Sequence, residues 1–330
     1  MRGATPPAQS RPPTGFVHTS SVGPGRRVRR ATIARMTQTP FELARQHFVP
    51  TVFTREELRA AGYSSRQITD AVKDGSMLRL RRDRYAQPGL DREVAHAARI
   101  GGRLTCLSLL RLLGVFVLKV DAVHVHLERN RSRFRGRETG ARIHWSLPSA
   151  SQLSHVTLLS EAICHSVKCQ DPRASLATLD SVLQHGLLTP GELEVIFRSL
   201  APRYRVLLTL VDPTAGSGPE TFMRLILRTM GLRFETQVDV DGVGRVDFVV
   251  EGWLIIECDS KAFHEGWDKQ VEDRNRDIAA ARIGYVTVRP LASDLLYRPQ
   301  EVQAALKDVI ERLRPSGLRA QLRKTVRRGA

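Results

Sequence analysis

The sequence predicts an α+β protein with several domains, and three observations support this prediction. The chain has 330 residues, more than the roughly 250 that one hydrophobic core usually serves. Its hydrophobic content of 42% is enough to bury sizeable cores, which excludes a wholly disordered chain. Its patterns run from helices and a short hairpin near the N terminus to alternating helices and strands near the C terminus.

The positive charge lies mostly at the two ends of the chain. The formal net charge is +17, from 51 Lys and Arg against 34 Asp and Glu. Residues 1–35 hold seven arginines and residues 312–330 hold seven basic residues, with no acid in either stretch. The body, 36–311, therefore carries only about +3, so the net charge alone does not identify a nucleic-acid-binding surface.

Both ends are expected to be basic tails outside the folded domains. Residues 1–38 are rich in Pro, Gly, Ser and Thr and show no periodicity, and residues 314–330 form the second tail. Met36 immediately precedes the first helical pattern, so we hypothesise that translation starts there. No apolar segment of a secretory signal is present, and the longest apolar run, 104–120, is too short to span a membrane. We therefore expect a cytoplasmic protein with no membrane partner.

Residues 39–88 show the element order of a winged helix-turn-helix. A short helix at 39–49 is followed by two helices that end at glycines. Two capping boxes open these helices: Thr54 with Glu57, and Ser64 with Gln67. Alternation over 78–86 predicts two short strands around a tight turn. In this arrangement the helix 65–74 is the recognition helix of a DNA-binding domain.

Two groups of residues in this domain are candidates for DNA contact. The first residues of the recognition helix would lie nearest the base edges: Ser65, Arg66, Gln67 and Thr69. The arginines of the hairpin would contact phosphates: Arg79, Arg81, Arg82 and Arg84. The alternative is a small helical domain whose arginines form a solvated face.

This segment resembles the N-terminal winged-helix domain of AbiEi-type antitoxins from type IV toxin–antitoxin systems. The resemblance covers about fifty residues and rests on these positions: Phe53-Thr54, Leu58, Ala61-Gly62, Ser65-Arg66, Gly75, Leu80-Arg81 and Tyr85-Ala86. It implies DNA as a partner and allows a cognate toxin as a second one. The family usually has Gly before the final strand of the wing, where this chain has Asp83-Arg84, so the turn of the wing is expected to differ.

The middle region, 89–210, is predicted to be a connecting region of mixed helices and strands. Alternation predicts strands at 123–127 and 143–145, separated by an arginine-rich loop over 129–137. This loop could touch phosphates or be simply solvated. Helical patterns occupy most of the remainder: near 91–113, 158–169, 173–186 and 190–200.

The cysteines and histidines give no strong signal for a metal. The four cysteines lack the spacing of metal ligands, which favours free thiols in a reducing compartment: Cys106, Cys164, Cys169 and Cys258. His124, His126 and His144 can be combined into a metal-binding trio. The alternation over 123–127 favours a different interpretation, in which the apolar residues face a core and the histidines face water.

The C-terminal domain, 215–313, is predicted to have an α-β-β-β-α-β core followed by a last helix. The predicted elements are a helix from Ser217 to near Gly231, strands 234–240, 245–250 and 254–261, a helix 268–283, a strand 285–289 and a helix 299–313. The β-α-β portion requires a parallel pair of strands.

A cluster of carboxylates marks this domain. Asp247 lies within an apolar strand, and Glu257, Asp259 and Lys261 alternate along the next strand, so those three share one face. Acids on a buried strand are costly without a partner, and Mg²⁺ or Mn²⁺ would supply one. Asp247 shares their face only if the loop between the strands has an odd number of residues. We therefore predict a three-residue loop, 251–253, or a compensating bulge.

The pattern Asp-Xn-(Asp/Glu)-X-Lys, formed by Asp247, Asp259 and Lys261, resembles that of the PD-(D/E)XK restriction-endonuclease-like superfamily. More narrowly, about eighty to one hundred residues are similar to the small domain family related to very-short-patch-repair endonucleases. The further matching positions are Glu220, Gln237, Val246, Phe248, Glu257-Cys258, His264, Asp273-Arg274-Asn275-Arg276-Asp277, Gly284-Tyr285-Val286 and Arg289. The chain departs from the family at Ser260, where relatives carry Gly, and at Pro290, where they often carry Phe. The resemblance implies a restriction-endonuclease-like fold and magnesium-dependent cleavage of DNA.

Six residues are candidates for catalysis, the first three as metal ligands: Asp247, Glu257, Asp259, Lys261, Glu220 and His264. Lys261 would orient or activate the attacking water and stabilise the negative charge that develops on the phosphorane oxygens. Glu220 would add an outer carboxylate, and His264 a general base or a phosphate contact. Each has a simpler interpretation: helix capping with Ser217 for Glu220, neutralisation of the acids for Lys261, and an ordinary surface position for His264.

Two main functions follow from these patterns. The first is a magnesium-dependent DNA endonuclease positioned by its winged helix. The second is a non-enzymatic, antitoxin-like transcriptional regulator that uses the nuclease fold as a scaffold, and a weaker third is a nuclease directed at RNA. A fold resemblance does not choose among them, but the retained acids and lysine favour the enzyme.

Overall fold

The computed structural model describes residues 52–129, 140–146, 155–258 and 267–314. Within these ranges the chain is a mixed α+β protein with three small sheets, which confirms the predicted class. No helix in this part of the chain is both long enough and apolar enough to cross a membrane. The N-terminal basic tail, the C-terminal basic tail beyond Arg314, Met36 and the predicted helix 39–49 lie outside the described residues, as does most of the arginine-rich loop.

The N-terminal part contains two helices, an antiparallel three-stranded sheet and a following helix. The elements are β1 (Val52–Phe53), α1 (Arg55–Ala60), α2 (Ser65–Lys73), β2 (Leu78–Arg81), β3 (Arg84–Ala86) and α3 (Arg92–Ile100). The strand order is β1-β3-β2. Both predicted capping boxes form, and the hairpin turns at Asp83, whose φ is 59°. Leu58, Ile68 and Tyr85 pack into a small core that fixes the two helices against the hairpin.

The middle part surrounds a second small sheet with helices. Its elements are β4 (Arg103–Leu104), α4 (Cys106–Leu112), β5 (His124–Glu128), β6 (Arg142–Ser146), α5 (Leu159–Cys169), α6 (Pro172–Gln184), α7 (Pro190–Arg198) and a 3₁₀ helix (Pro202–Leu207). The strand order is β4-β5-β6, with β4 antiparallel and β6 parallel to the central strand β5.

The prediction that the histidines of β5 face water is wrong. His124 and His126 are only 2% and 1% exposed, and Val125 and Leu127 between them are buried as well. The reason is that β5 is the central strand and its two faces are both covered, one of them by the rings of neighbouring histidines. Alternation of residue type therefore does not separate an inner from an outer face here.

The C-terminal part builds a four-stranded sheet. Its elements are α8 (Gly218–Thr229), β7 (Phe234–Val240), β8 (Gly244–Val250), β9 (Leu254–Ile256), α9 (Trp267–Arg282), β10 (Val286–Val288), α10 (Ala292–Tyr297) and α11 (Pro299–Leu313). The strand order is β10-β9-β8-β7, and β9 and β10 form the predicted parallel pair. The third strand ends at Ile256, earlier than predicted, and α10 is an additional short helix.

The loop between β8 and β9 has the predicted odd length. Phe248 pairs with Ile256 and Val250 with Leu254, which leaves the three residues 251–253 as the loop. Glu251 and Gly252 both adopt positive φ angles, 51° and 76°, to make this turn. Continuing the same register sets Asp247 opposite Glu257, so the two acids share one face of the sheet.

The middle and C-terminal parts share a hydrophobic core. Ala174 and Ala177 of α6 pack with Phe222 and Met223 of α8 and with the sheet residues behind them. Beside this core lies a buried ion pair between Arg224 of α8 and Asp180 of α6, with an N···O distance of 2.6 Å. The two parts are therefore joined by both apolar packing and charge.

Candidate functional site

Three carboxylates gather beside the middle of β8 and the end of β9, and we call Glu220, Asp247, Glu257 and the neighbouring Gln237 the acid site. Glu220 is 7% exposed and Glu257 9%, so two of the acids are buried. The amide Nε2 of Gln237 donates to Glu220 Oε2 at 2.7 Å and to Asp247 Oδ1 at 3.4 Å. The other oxygen of Asp247 accepts the backbone N–H of Cys258 at 2.8 Å. The acids are thus held in fixed positions by neighbouring donors.

The environment of the acid site disfavours ionisation of its carboxyls. Burial raises the pKa of Glu220, Asp247 and Glu257, and in each case it is the largest cause. The charge of Asp247 raises the pKa of Glu220 and of Glu257 further. Such acids ionise together at neutral pH most readily when a cation lies between them.

Two arginines lie on the far side of Glu257. Arg276 Nη2 donates to Glu257 Oε1 at 3.0 Å, and Arg289 Nη2 lies 3.7 Å from the same oxygen. Arg276 also donates to the carbonyl oxygen of Arg245 at 2.6 Å, and Arg289 pairs with Asp277 at 2.9 Å. Arg276 and Asp277 belong to the run 273–277 that matches the endonuclease-like family; Arg276 contacts Glu257 directly, and Asp277 holds Arg289 beside it.

Gln237 has a backbone conformation that marks it as a constrained residue. Its φ is 55°, in the left-handed region that residues with a side chain rarely occupy within a strand. Its side chain is fixed at both ends, because Oε1 accepts from Arg245 Nε at 2.8 Å while Nε2 donates to the two acids. Strain of this kind is concentrated at functional positions in proteins.

Helix capping does not account for Glu220. Ser217 caps α8 by accepting the N–H of Glu220 at 3.4 Å. The carboxylate of Glu220 turns elsewhere, accepting from the N–H of Gly216 at 2.8 Å and from Gln237. Its position in the acid site is therefore a separate feature from the cap. The remaining three candidates, Asp259, Lys261 and His264, lie outside the described residues.

The candidate DNA-contacting residues divide into exposed and partly buried ones. All four candidates on α2 are exposed, and the side chain of Arg66 is 92% exposed. Gln67 uses its side chain to accept the N–H of Ser64 at 2.8 Å, so part of it serves the helix cap. On the hairpin, Arg79 and Arg82 are exposed.

The other two hairpin arginines are half-buried. Arg81 and Arg84 line a polar cavity of about 90 Å³ together with Arg103, His126 and His155. Burial and the charges of the neighbouring arginines lower the pKa of His155 to about 4. The hairpin therefore presents two arginines outward and turns two toward the middle part of the protein.

A second cluster, not predicted from the sequence, could hold a metal ion. We call it the Cys/His cluster: Cys106, His124, His144 and Cys169, whose ligand atoms all lie within 4.8 Å of one another. His126, the third member of the sequence-based trio, is not part of it. The four residues lie far apart along the chain, so no short spacing motif signals them. Only the packing of α4, β5, β6 and α5 brings them together.

The pKa values of the two thiols in the Cys/His cluster are shifted in opposite directions. Hydrogen bonds from Cys106 and from the two histidines lower the pKa of Cys169, whereas burial raises the pKa of Cys106. The ring of His144 stacks on that of His165, with centroids 4.6 Å apart. Burial, together with the charges of the nearby His144 and His126, lowers the pKa of His165 to about 3. The protonation state of each of these side chains therefore depends on its neighbours.

No family model matches the chain, and no curated protein matches it significantly. The functional argument therefore rests on the residues and geometry of the two sites.

Proposed function

We propose that the protein binds DNA and that its C-terminal domain is a magnesium-dependent endonuclease that hydrolyses phosphodiester bonds. The observation that carries this proposal is the register of β8 and β9, which sets Asp247 opposite Glu257 on one face. Gln237 joins Glu220 to the same group. Acids with raised pKa values that gather at one face of a sheet supply the hard oxygen ligands that Mg²⁺ and Mn²⁺ prefer.

In the proposed site, Asp247 and Glu257 would hold the metal with Asp259. The metal would supply charge stabilisation to the phosphate and lower the pKa of an attacking water. Lys261 would orient that water or stabilise the developing negative charge. Arg276 and Arg289 keep Glu257 in place through their ion pairs, and Glu220 acts through Gln237 on the position of Asp247.

A restriction-endonuclease-like fold is the corresponding proposal for the C-terminal domain. The α-β-β-β-α-β order and the parallel pair of β9 and β10 support it. For the N-terminal part we propose a winged helix-turn-helix that positions DNA. The two capped helices, the β1-β3-β2 sheet and the exposed first turn of α2 support that assignment.

One observation favours the alternative of a non-enzymatic regulator of the antitoxin type. Arg276 and Arg289 already pair with Glu257 and so supply positive charge that a metal would otherwise provide. In this alternative the acid site binds no metal and has no catalytic role. The nuclease fold is then only a scaffold for DNA binding, with a cognate toxin as a partner.

A plasmid-nicking assay with magnesium distinguishes the two functions. We expect the wild type to nick supercoiled DNA, and Asp247→Ala and Asp259→Ala to lower the rate by at least about 100-fold, because even outer partners of metal ligands contribute 10–100-fold. Asp239→Ala is the matched control, since Asp239 is an exposed acid on the adjacent strand β7. Nicking that is absent, or equal in all four proteins, would remove the enzyme and leave the regulator.

A further inference from the structure

We propose that the Cys/His cluster is a structural zinc site with tetrahedral Cys₂His₂ coordination. Its ligands are the thiolates of Cys106 and Cys169, Nδ1 of His124 and Nε2 of His144. The site belongs to the middle part of the protein and is separate in both residues and chemistry from the acid site.

The distances between the ligand atoms fit a tetrahedral zinc ion. With Zn–N bonds of 2.0–2.1 Å and Zn–S bonds of about 2.3 Å, a tetrahedron sets its nitrogens about 3.3 Å apart and nitrogen and sulfur about 3.6 Å apart. The two histidine nitrogens lie 3.0 Å apart. Cys169 Sγ lies 3.8 Å from each of these nitrogens. Shifts of a few tenths of an ångström would bring these three atoms to zinc-binding distances, and Cys106 Sγ lies within 4.8 Å of all of them as the fourth ligand.

The chemistry of the ligands selects zinc over the hard cations of the acid site. Thiolate and imidazole together suit Zn²⁺, whereas Mg²⁺ prefers oxygen ligands. Four protein ligands leave no open position for water or substrate, which is typical of structural and not catalytic zinc. Thiols in a reduced chain are available for this role, and all four cysteines are free.

The backbone at Cys106 is constrained in a way that is typical of functional positions. Cys106 is fully buried and has a φ of 54°, a strained conformation for a residue with a side chain, at the first position of α4. Its sulfur lies within 4.8 Å of the ligand atoms of the other three residues. Without a metal, the cluster would offer one good hydrogen bond between the histidines and two weakly bonding sulfurs.

Zinc would add a shared cross-link to four elements that strand pairing, side-chain hydrogen bonds and packing already bring together. Cys106 begins α4, His124 lies in β5, His144 in β6, and Cys169 ends α5. Binding of the metal to the folded form alone would stabilise the middle part of the protein.

The test is the zinc content of the full-length protein, purified without chelators and measured by elemental mass spectrometry. We expect one bound zinc per chain in the wild type and in Cys164→Ser. In Cys169→Ser we expect less bound zinc, because its zinc affinity should be at least about tenfold lower. The two cysteines are a matched pair, because both lie on α5 and both are half-buried, but Cys164 is outside the cluster.

A second measurement needs no variant and so does not depend on the folding of Cys169→Ser. In the wild type, zinc should protect Cys106 and Cys169 from alkylation, and its removal by a chelator should expose both. Three results would overturn the proposal: a wild type that binds no zinc even when the ion is added, equal affinity in Cys164→Ser and Cys169→Ser, or a native disulfide between Cys106 and Cys169.

Discussion

At the scale of single residues, the ionisation of Asp247 determines how the acid site behaves without a metal. Burial raises the pKa of this carboxyl in the folded protein, whereas an aspartate in the unfolded chain titrates near 3.9. Between these two values the folded state holds more protons than the unfolded state. The free energy of unfolding attributable to Asp247 is therefore highest below the unfolded pKa and decreases as pH rises through the folded pKa.

This sign gives a prediction for Asp247→Asn, which removes the titrating group. In the presence of EDTA, we expect the variant to become more stable relative to the wild type as pH rises from about 4 to about 8. Urea unfolding at several pH values measures the difference. Asp239→Asn, at an exposed position, should show no such trend. A stability difference that does not change with pH would contradict this account of Asp247.

At the scale of elements, the length of the loop 251–253 determines which residues share a face. Deleting Gly252 would shorten the loop to two residues and shift β9 by one position, which moves Glu257 to the opposite face from Asp247. We expect the deletion to weaken Mn²⁺ binding by at least about tenfold. Gly252→Asn keeps the length and tolerates the φ of 76°, so it should bind normally. Unchanged Mn²⁺ affinity in the deletion variant would refute the importance of the register.

The hairpin β2–β3 gives a prediction for DNA binding. Arg79 and Arg82 are exposed, so each can neutralise one phosphate. We expect the double variant Arg79→Ala/Arg82→Ala to bind DNA with a weaker dependence on salt. The slope of the logarithm of the DNA-binding constant against the logarithm of the salt concentration should fall in magnitude by about 2, since each phosphate contact contributes about 0.9 to that slope. Fluorescence anisotropy on duplex DNA measures it. Arg59→Ala, an exposed arginine of α1, is the control, and an equal slope change there would count against the hairpin as a DNA-contacting wing.

Local sequence signals account for the elements that were predicted well. The capping pairs Thr54–Glu57 and Ser64–Gln67 and the final helix 299–313 depend on neighbours within a few residues. The pairing of Asp247 with Glu257 was also predictable, because the parity of a loop fixes which side chains share a face.

Features that depend on tertiary packing could not be predicted in this way. The burial of His124 follows from cover on both faces of β5, which alternation along one strand does not reveal. The Cys/His cluster requires four distant segments to meet, and no spacing in the sequence encodes that meeting. Arg276 and Arg289 approach Glu257 from separate elements for the same reason.

At the scale of the whole molecule, one buried ion pair connects the middle and C-terminal parts. Asp180 accepts from Arg224 at 2.6 Å and from Thr221 at 2.7 Å, and Arg224 also pairs with Asp212 at 2.7 Å. Removing one member of such a pair leaves a buried charge without its partner, which is strongly destabilising.

We expect Arg224→Leu to lower the free energy of unfolding by about 3–5 kcal/mol, because Asp180 would then be buried without its cation. Arg228→Leu, one turn further along α8 and exposed, should change it by less than about 0.5 kcal/mol. Chemical denaturation of both variants measures the difference. If Arg224→Leu changed the free energy of unfolding as little as Arg228→Leu does, the ion pair would not be what holds the two parts together.

The most direct test of the proposed function is whether the acid site binds a divalent metal, because this measurement does not require the DNA target to be known. A Mn²⁺ titration of the full-length protein followed by electron paramagnetic resonance can measure it, with Mg²⁺ as competitor. We predict that the wild type and Asp239→Asn bind Mn²⁺ with similar affinity. In Asp247→Asn we expect the Mn²⁺ affinity to be at least about tenfold lower. No Mn²⁺ binding by the wild type, or equal affinity in the wild type and Asp247→Asn, would contradict the assignment of a metal-dependent nuclease.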